Sequence, residues 1–243
     1  MVKETGFKID LHVHTEYSED SVIDPRDLAR LARNKGLRGI AITDHGTMEA
    51  CGQLSSLDDV LIIRGVETYT NKGHMISLFV EEPPKSNDLD EAIDQTRAQG
   101  GLTIMAHPFG FPRLGYVLGT TETDRYVPLA RRFDAIEVCN SRVILPVQND
   151  LARELAAKAR RPATGGSDCH LSHELGNCYT LFEDASSEDD VYRQLKNGNT
   201  AGCGGLSSPM GHALSLLARV HKSFRGNRYD HRQNRRNLAG TLH

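Results

Sequence analysis

The sequence predicts an α/β fold, and three observations carry that prediction. Short β-branched runs alternate with stretches of helical spacing along most of the chain. At 243 residues, with 38% hydrophobic and 25% charged residues, the chain can bury one large core. That length suits a single (β/α) barrel or two small domains, and no stretch repeats internally.

The elements follow in order. Residues 7–14 read as a first strand. Asp24-Pro25 caps a helix, with Leu28, Leu31 and Ala32 at helical spacing up to Gly36. Residues 38–43 form a buried strand that ends in Asp44-His45-Gly46, and residues 60–67 form another. A turn at Asn71-Lys72-Gly73 leads into a strand over 74–80. Residues 88–99 are helical and close at Gly100-Gly101; 102–106 is a strand running into His107-Pro108. A Gly/Pro-rich loop covers 109–119. Residues 135–138 are a strand, 147–160 a helix, and 162–166 a short strand ending in Ser167-Asp168-Cys169-His170. A strand over 177–182 and a helix over 187–196, capped by Gly198, complete the body. The Gly/Ser-rich stretch 202–209 marks the boundary, giving a barrel domain over 1–205 and a basic extension over 206–243.

Composition excludes several classes. Mean hydropathy is −0.45 and apolar runs are as short as Val60-Leu61-Ile62-Ile63, so no segment spans a bilayer. The opening residues lack an apolar signal core, so the expected location is cytoplasmic. Five scattered cysteines without a Cys-x-x-Cys pair argue against both a disulfide framework and a thiolate zinc knuckle. The net charge of −3 is unevenly spread. Up to Ser208 there are 22 basic and 31 acidic residues, a balance of −9; from Pro209 onward there are 7 and 1, a balance of +6.

The chemistry sits where metal-ligand side chains meet strand ends. His12, His14, His45, Glu67, His107, Asp168 and His170 each fall at or just past a strand terminus, while His74 opens a strand. In (β/α) barrels such termini converge on one face, so residues from 12 to 170 can share a pocket. His12 and His14 stand at i and i+2 on one strand face and can reach one ion. A lone His-x-His is as often a pair of half-buried surface residues, but Asp168 and His170 repeat the spacing. Glu67 closes an apolar run where an unpaired carboxylate is costly, and a bridge between cations removes that cost. His45 also reads as a helix-capping pair with Asp44, and His107 as a packed structural histidine. Asp20 lies beside Glu19 in a Ser/Asp/Glu loop, and either or neither can ligate.

Taken together, Asp10-Leu-His12-Val-His14-Thr15, Tyr17-Ser-Glu-Asp20-Ser21, Ile42-Thr-Asp-His45, Gly65-Val-Glu67, Gly73-His74, Ala106-His107-Pro108 and Ser167-Asp168-Cys-His170 resemble the PHP (polymerase and histidinol phosphatase) superfamily. The resemblance covers residues 8 to about 182 and carries every family block in order. It implies a distorted (β/α)7 TIM-like barrel with the metal site at the C-terminal strand ends. It also implies a metal-dependent phosphoesterase acting on phosphate monoesters. Carried over, one ion is held by His12, His14, Glu67 and Asp168, a second by Glu67, His74 and His107, and a third by Asp20, His45 and His170. Relatives that place the loop aspartate one residue earlier would use the position of Glu19.

Mixed imidazole and carboxylate ligands suit two or three Mn²⁺, Zn²⁺ or Fe²⁺ ions better than Mg²⁺ or Ca²⁺. Such a cluster makes hydroxide available near neutral pH for attack on phosphorus. Asp168 or His45 is the expected general acid or base, beside a ligand role. Arg113, Asn140 and Arg142 are candidate substrate contacts, because guanidinium forks match phosphate oxygens; surface salt bridging is the competing reading for both arginines. The expected substrate is a nucleotide, a short oligonucleotide or a small metabolite phosphate. The alternatives are a histidinol-phosphatase-like enzyme and a non-catalytic metal-binding accessory module. The tail reads as a solvated extension with one short helix near Leu214, Leu216 and Leu217; its arginines also suit a nucleic-acid backbone.

Overall fold

A computed structural model describes residues 6–54, 60–110 and 123–208, together with 210, 211, 214, 215 and 217. Among the described residues, nine strands form one sheet: β1 (Phe7–Val13), β2 (Gly39–Ile42), β3 (Leu61–Thr70), β4 (Gly73–Leu78), β5 (Leu102–Met105), β6 (Ala135–Asn140), β7 (Ala163–Gly166), β8 (Cys178–Phe182) and β9 (Thr200–Gly204). The helices are α1 (Leu28–Asn34), α2 (Glu49–Gln53), α3 (Leu89–Ala98), α4 (Val127–Ala130), α5 (Pro146–Ala159) and α6 (Glu188–Asn197).

Local chemistry sets the helix ends. The Asp24 carboxylate accepts from the Arg26 N–H at a 3₁₀ turn (Pro25–Asp27) that leads into α1. Asp88 caps α3 through the N–H groups of Asp90 and Glu91, and Leu89, Ala92, Ile93 and Thr96 make its buried stripe. Ser187 and Asp190 form a reciprocal capping box on α6, and Gly198 ends that helix at φ 78°.

The sheet order is β7-β6-β5-β4-β3-β2-β1-β8-β9. β1, β2 and β3 are mutually parallel, as are β5, β6 and β7. β4 runs antiparallel to both neighbours. One reversed strand is the distortion in this TIM-like barrel, and it has a functional consequence. The start of β4 lies at the pole where the other six barrel strands end, so His74 joins the site although it opens its strand.

The barrel closes without a regular ladder. Beyond the end of β7, Asp168 N–H donates to the His12 carbonyl (2.8 Å) and His14 N–H to the Cys169 carbonyl (3.2 Å). Lower down, Thr180 on β8 accepts from Gly165 N–H and donates to the Gly165 carbonyl, both at 2.8 Å, taking the place of a strand neighbour. Asp10, fully buried, accepts from His12 N–H, Ser167 N–H, the Ser167 hydroxyl and Gly176 N–H. It ties β1 to the loop that carries Asp168 and His170. Close approach at this seam requires glycine in β7: a Cβ on Gly166 would lie 2.3 Å from the His12 Cβ and 2.8 Å from its backbone nitrogen.

Three apolar clusters surround this frame. One packs α3, α4 and α5 against β5 and β6 through Phe133, Ile136 and Leu155. A second lies under α1 and α2 with Leu28, Ile40 and Ile42. The third joins Ile9, Leu11, Ile63, Ile76 and Phe182 to Val191 and Leu195 of α6. Each fully buried aliphatic side chain contributes about 2 kcal/mol. Sheet structure continues to Gly204, into the Gly/Ser-rich stretch, and the described residues Met210, Gly211, Leu214, Ser215 and Leu217 are helical. Among the described residues, no helix is long and apolar enough to cross a membrane.

Candidate metal centre

Each candidate ligand is delivered by an element whose end meets the same pole. His12 lies on β1 and His14 immediately after it; Glu67 lies on β3 and His74 on β4. His45 follows β2 and is bridged to Glu67, with Gly46 N–H donating to the Glu67 carbonyl (2.9 Å) and Glu67 N–H to the Asp44 carbonyl (3.2 Å). His107 and Asp168, just past β5 and β7, are both held at positive φ, 27° and 55°. Non-glycine residues with that backbone are uncommon and cluster at functional sites.

All nine predicted residues converge. Glu67 is at the centre, and its two oxygens face different partners. Its Oε1 is 2.5 Å from His74 Nδ1 and 3.0 Å from His107 Nε2. Its Oε2 is 2.9 Å from His45 Nδ1, 3.4 Å from His14 Nε2 and 3.5 Å from His12 Nε2. Asp168 Oδ1 lies 3.4 Å from His14 Nε2 and 3.7 Å from His12 Nε2. Of the two neighbouring acids in the loop, Asp20 reaches the site: its Oδ1 is 3.0 Å from His170 Nε2 and 3.6 Å from His45 Nε2.

Hydrogen bonding outside the cage fixes which ring nitrogens face inward. The Ser18 hydroxyl donates its one proton to Asp44 (2.6 Å), so the His14 Nδ1–H must be the donor in its 3.0 Å contact with Ser18. His12 Nδ1–H donates to the Glu137 carboxylate (3.0 Å), and His170 Nδ1–H to the Asp168 carbonyl (2.7 Å). The Nε2 atoms of His12 and His14 then face each other across 3.0 Å. The bare Nε2 of His170 faces the Asp20 carboxylate. Both ring nitrogens of buried His45 lack any hydrogen bond of acceptable geometry. Lone pairs set against lone pairs and carboxylates are repulsive unless a proton or a metal ion lies between them; in the metal-free cage a proton between His12 and His14 fills that place, and the donor set fits metal ions in its stead. Among the described residues four groups, His12-His14-Glu67, Glu67-His74-His107, His14-His45-His170 and His12-His107-Glu137, each bring their donor atoms within 4.8 Å of one another.

The electrostatics agree. Burial opposes charge throughout the cage, yet Asp168, Glu137 and Glu67 together hold His12 well above the usual imidazole range. Burial likewise opposes a charged His45, but Tyr69, Glu67 and Asp20 raise it. Against the same desolvation, His74, His12 and His45 hold Glu67 well below the carboxylate range, and His12, His14 and His170 do so for Asp168. Burial and the neighbouring His14 leave His170 lowered despite Asp20. The pocket stabilises ionised carboxylates and invites cations.

Glu137 is the residue that sequence reasoning missed. Buried on β6, it accepts from His12 Nδ1–H, His107 N–H (2.8 Å) and Asn140 Nδ2–H (3.0 Å). A glutamate inside the apolar run 135–138 carried the same signal as Glu67. Carboxylates that orient a ligating histidine matter to affinity about as much as the surrounding packing allows, typically 10- to 100-fold. Glu137→Gln is therefore expected to weaken metal binding by about 10- to 100-fold, because an amide cannot accept on both sides. Titration of the metal-free variant with Mn²⁺ reads this directly.

The predicted substrate contacts are directed elsewhere. Asn140 spends both amide protons on Glu137 and Asp168 (3.0 and 3.2 Å) and its oxygen on Arg142 N–H (2.8 Å), so it positions Asp168 and does not face the pocket mouth. The Arg142 guanidinium pairs with fully buried Glu174 (3.0 and 3.2 Å) and with the Ser215 hydroxyl (3.1 Å). Glu174 in turn accepts from His170 N–H (3.1 Å), so Arg142 braces a metal-site loop and is not a free phosphate clamp. Arg113 lies outside the described residues, as does the basic tail after Leu217.

Comparison with known proteins fits this arrangement. A family model described as PHP-associated matches residues 146–200. The uncharacterized protein MJ0417 of Methanocaldococcus jannaschii is 36% identical over 192 residues, covering 76% of this chain and 75% of that protein. A "Probable phosphatase" of Serratia proteamaculans is 29% identical over 210 residues, covering 70% and 81%. Among solved structures, a two-domain protein from Bacteroides vulgatus containing a predicted PHP-like metal-dependent phosphoesterase shares the fold. Its TM-score is 0.63 at 18% identity, covering 90% of this chain and 72% of that one.

Proposed function

The chain belongs to the PHP superfamily, and on that premise we propose that it is a metal-dependent phosphoesterase hydrolysing phosphate monoesters. The observation that carries the metal reading is the convergence of the His12 and His14 Nε2 atoms, 3.0 Å apart, with the Glu67 and Asp168 carboxylates, 3.4–3.7 Å from them. The ligand sets are read as His12, His14, Glu67 and Asp168 for one ion, Glu67, His74 and His107 for a second, and Asp20, His45 and His170 for a third. Two or three Mn²⁺, Zn²⁺ or Fe²⁺ ions suit such donors.

When bound, the ions supply a water acidified toward roughly pH 7 and positive charge against the phosphoryl oxygens. The protein's own residues do the rest. Glu67 divides its oxygens between two groups of histidines and so sets the spacing of the cage. Glu137, Ser18 and the Asp168 carbonyl hold three imidazoles in the tautomer that turns Nε2 inward. Asn140 orients the Asp168 carboxylate through Oδ2. Asp168 and His45 are read as the groups that exchange a proton with the leaving oxygen. The substrate is a phosphorylated small molecule or a short oligonucleotide with a terminal phosphate.

Manganese-loaded protein is expected to hydrolyse p-nitrophenyl phosphate, and chelation is expected to cut turnover by about 100-fold or more, reversibly. The diester bis(p-nitrophenyl) phosphate should be a poor substrate. Turnover of the diester alone would overturn the monoester reading. A metal-loaded protein inert toward both would instead favour the accessory module.

A further inference from the structure

A pair of cysteines lies where the barrel closes, apart from the metal ligands. Cys139 on β6 and Cys178 on β8 are buried and both are free thiols. Their sulfurs are 2.7 Å apart. That is within about 0.7 Å of the S–S bond length of about 2.05 Å and shorter than ordinary contact between two thiols.

The strands they belong to are not neighbours in the sheet, since β7 and the open seam lie between them. The thiols meet because β7 carries no side chain there. A Cβ on Gly165 would fall 2.5 Å from the Tyr179 carbonyl oxygen and 3.2 Å from the Cys139 Cβ, so the Tyr179 backbone, with Cys139 beside it, fills the space a side chain would take. The Gly205 carbonyl lies 3.4 Å from the Cys178 sulfur, a second acceptor to which its S–H can turn. The sulfur–sulfur contact also favours a thiolate at Cys139, the form that reacts with oxidants.

We propose that Cys139 and Cys178 are a reversible redox pair whose disulfide staples β6 to β8 across the barrel seam, with a peroxide as oxidant. The Cys139 thiolate attacks one peroxide oxygen, the O–O bond breaks, and hydroxide leaves with the electron pair; Cys139 becomes a sulfenic acid. The Cys178 sulfur then attacks the Cys139 sulfur, the S–O bond breaks, and the hydroxyl leaves as water with the Cys178 proton. Two thiols are oxidised by two electrons and one peroxide is reduced to two waters, one from each step once the hydroxide takes up the Cys139 proton. A small thiol of the glutathione class reverses the bond by exchange. The pair sits beside Asn140, which orients Asp168, so the staple fixes the strand on which that contact depends.

The test uses the manganese-loaded full chain treated with low-millimolar hydrogen peroxide, then denatured, alkylated and mapped by mass spectrometry. Titratable thiols should fall from five to three, with one cross-linked peptide joining Cys139 to Cys178 and full recovery after reduction. The oxidised protein should melt about 10 °C higher, from the loop closed between positions 39 apart. In Cys178→Ser, which keeps the volume nearly unchanged, Cys139 should stop at a sulfenic acid trapped by dimedone, with no rise in melting temperature. Five thiols remaining, a bond that includes Cys203 in place of either partner, or no dimedone adduct in the variant would overturn the proposal.

Discussion

Asp168→Asn is expected to lower kcat/KM toward an aryl phosphate by about 1000-fold, about 4 kcal/mol of transition-state stabilisation, while leaving the fold intact. Asp168 sits at φ 55°, a conformation that asparagine tolerates nearly as well as aspartate, so the backbone need not move. The substitution removes one negative charge from the cage, where Asp168 Oδ1 faces both His14 and His12. Metal occupancy should fall with activity, and the metal-free variant should melt within a few degrees of the metal-free parent. Alanine at the same position adds left-handed strain of about 1–2 kcal/mol and so mixes two effects. Steady-state kinetics beside metal analysis separates them. Full metal content with full turnover in Asp168→Asn would remove Asp168 from the site.

The second large effect belongs to the seam. Gly166→Ala would place a methyl group 2.3 Å from the His12 Cβ and 2.8 Å from its backbone nitrogen, atoms of a buried central strand. Relief requires β7 to move off β1, which breaks the contacts of Asp168 N–H and Ser167 N–H with that strand. A loss of about 4 kcal/mol is expected, read as a melting temperature about 12 °C lower. Because His12 and Asp168 both shift, metal affinity should drop as well. Gly52→Ala is the control: nothing lies within 4 Å of its Cβ position, and a helical alanine there should be neutral or mildly stabilising. Equal melting temperatures for the two variants would mean that the close approach at β7 is not what holds the barrel shut.

How much of this the sequence disclosed depends on the kind of signal. Paired donors at i and i+2, as in His12/His14 and Asp168/His170, are local geometry, and local geometry is legible. Alternation of strands and helices led to the α/β class for the same reason. Strand direction is not local. Nothing in residues 74–80 says that β4 runs backward, yet that reversal is why His74 reaches the pole. Glu137 was legible in principle, as a carboxylate inside an apolar run, but its neighbours there offered no second ligand to draw attention to it. Asn140 and Arg142 stood at the correct strand end. Which way they point is decided by Asp168 and Glu174, residues 28 and 32 positions away. β9 escaped notice because Thr200-Ala-Gly-Cys-Gly204 lacks the apolar alternation that marks a half-buried strand; it is held by its pairing with β8.

In the proposed metal centre one carboxylate, Glu67, stands between ions held by histidines from five segments of the barrel. Anomalous diffraction from crystals of the manganese-loaded protein, collected at the manganese edge, counts and places those ions together. At least two peaks are expected, one on each side of the Glu67 carboxylate, within bonding distance of His12 and His14 on one flank and His74 and His107 on the other. No peak in this pocket, or a single ion with Glu67 outside its coordination sphere, would contradict the account.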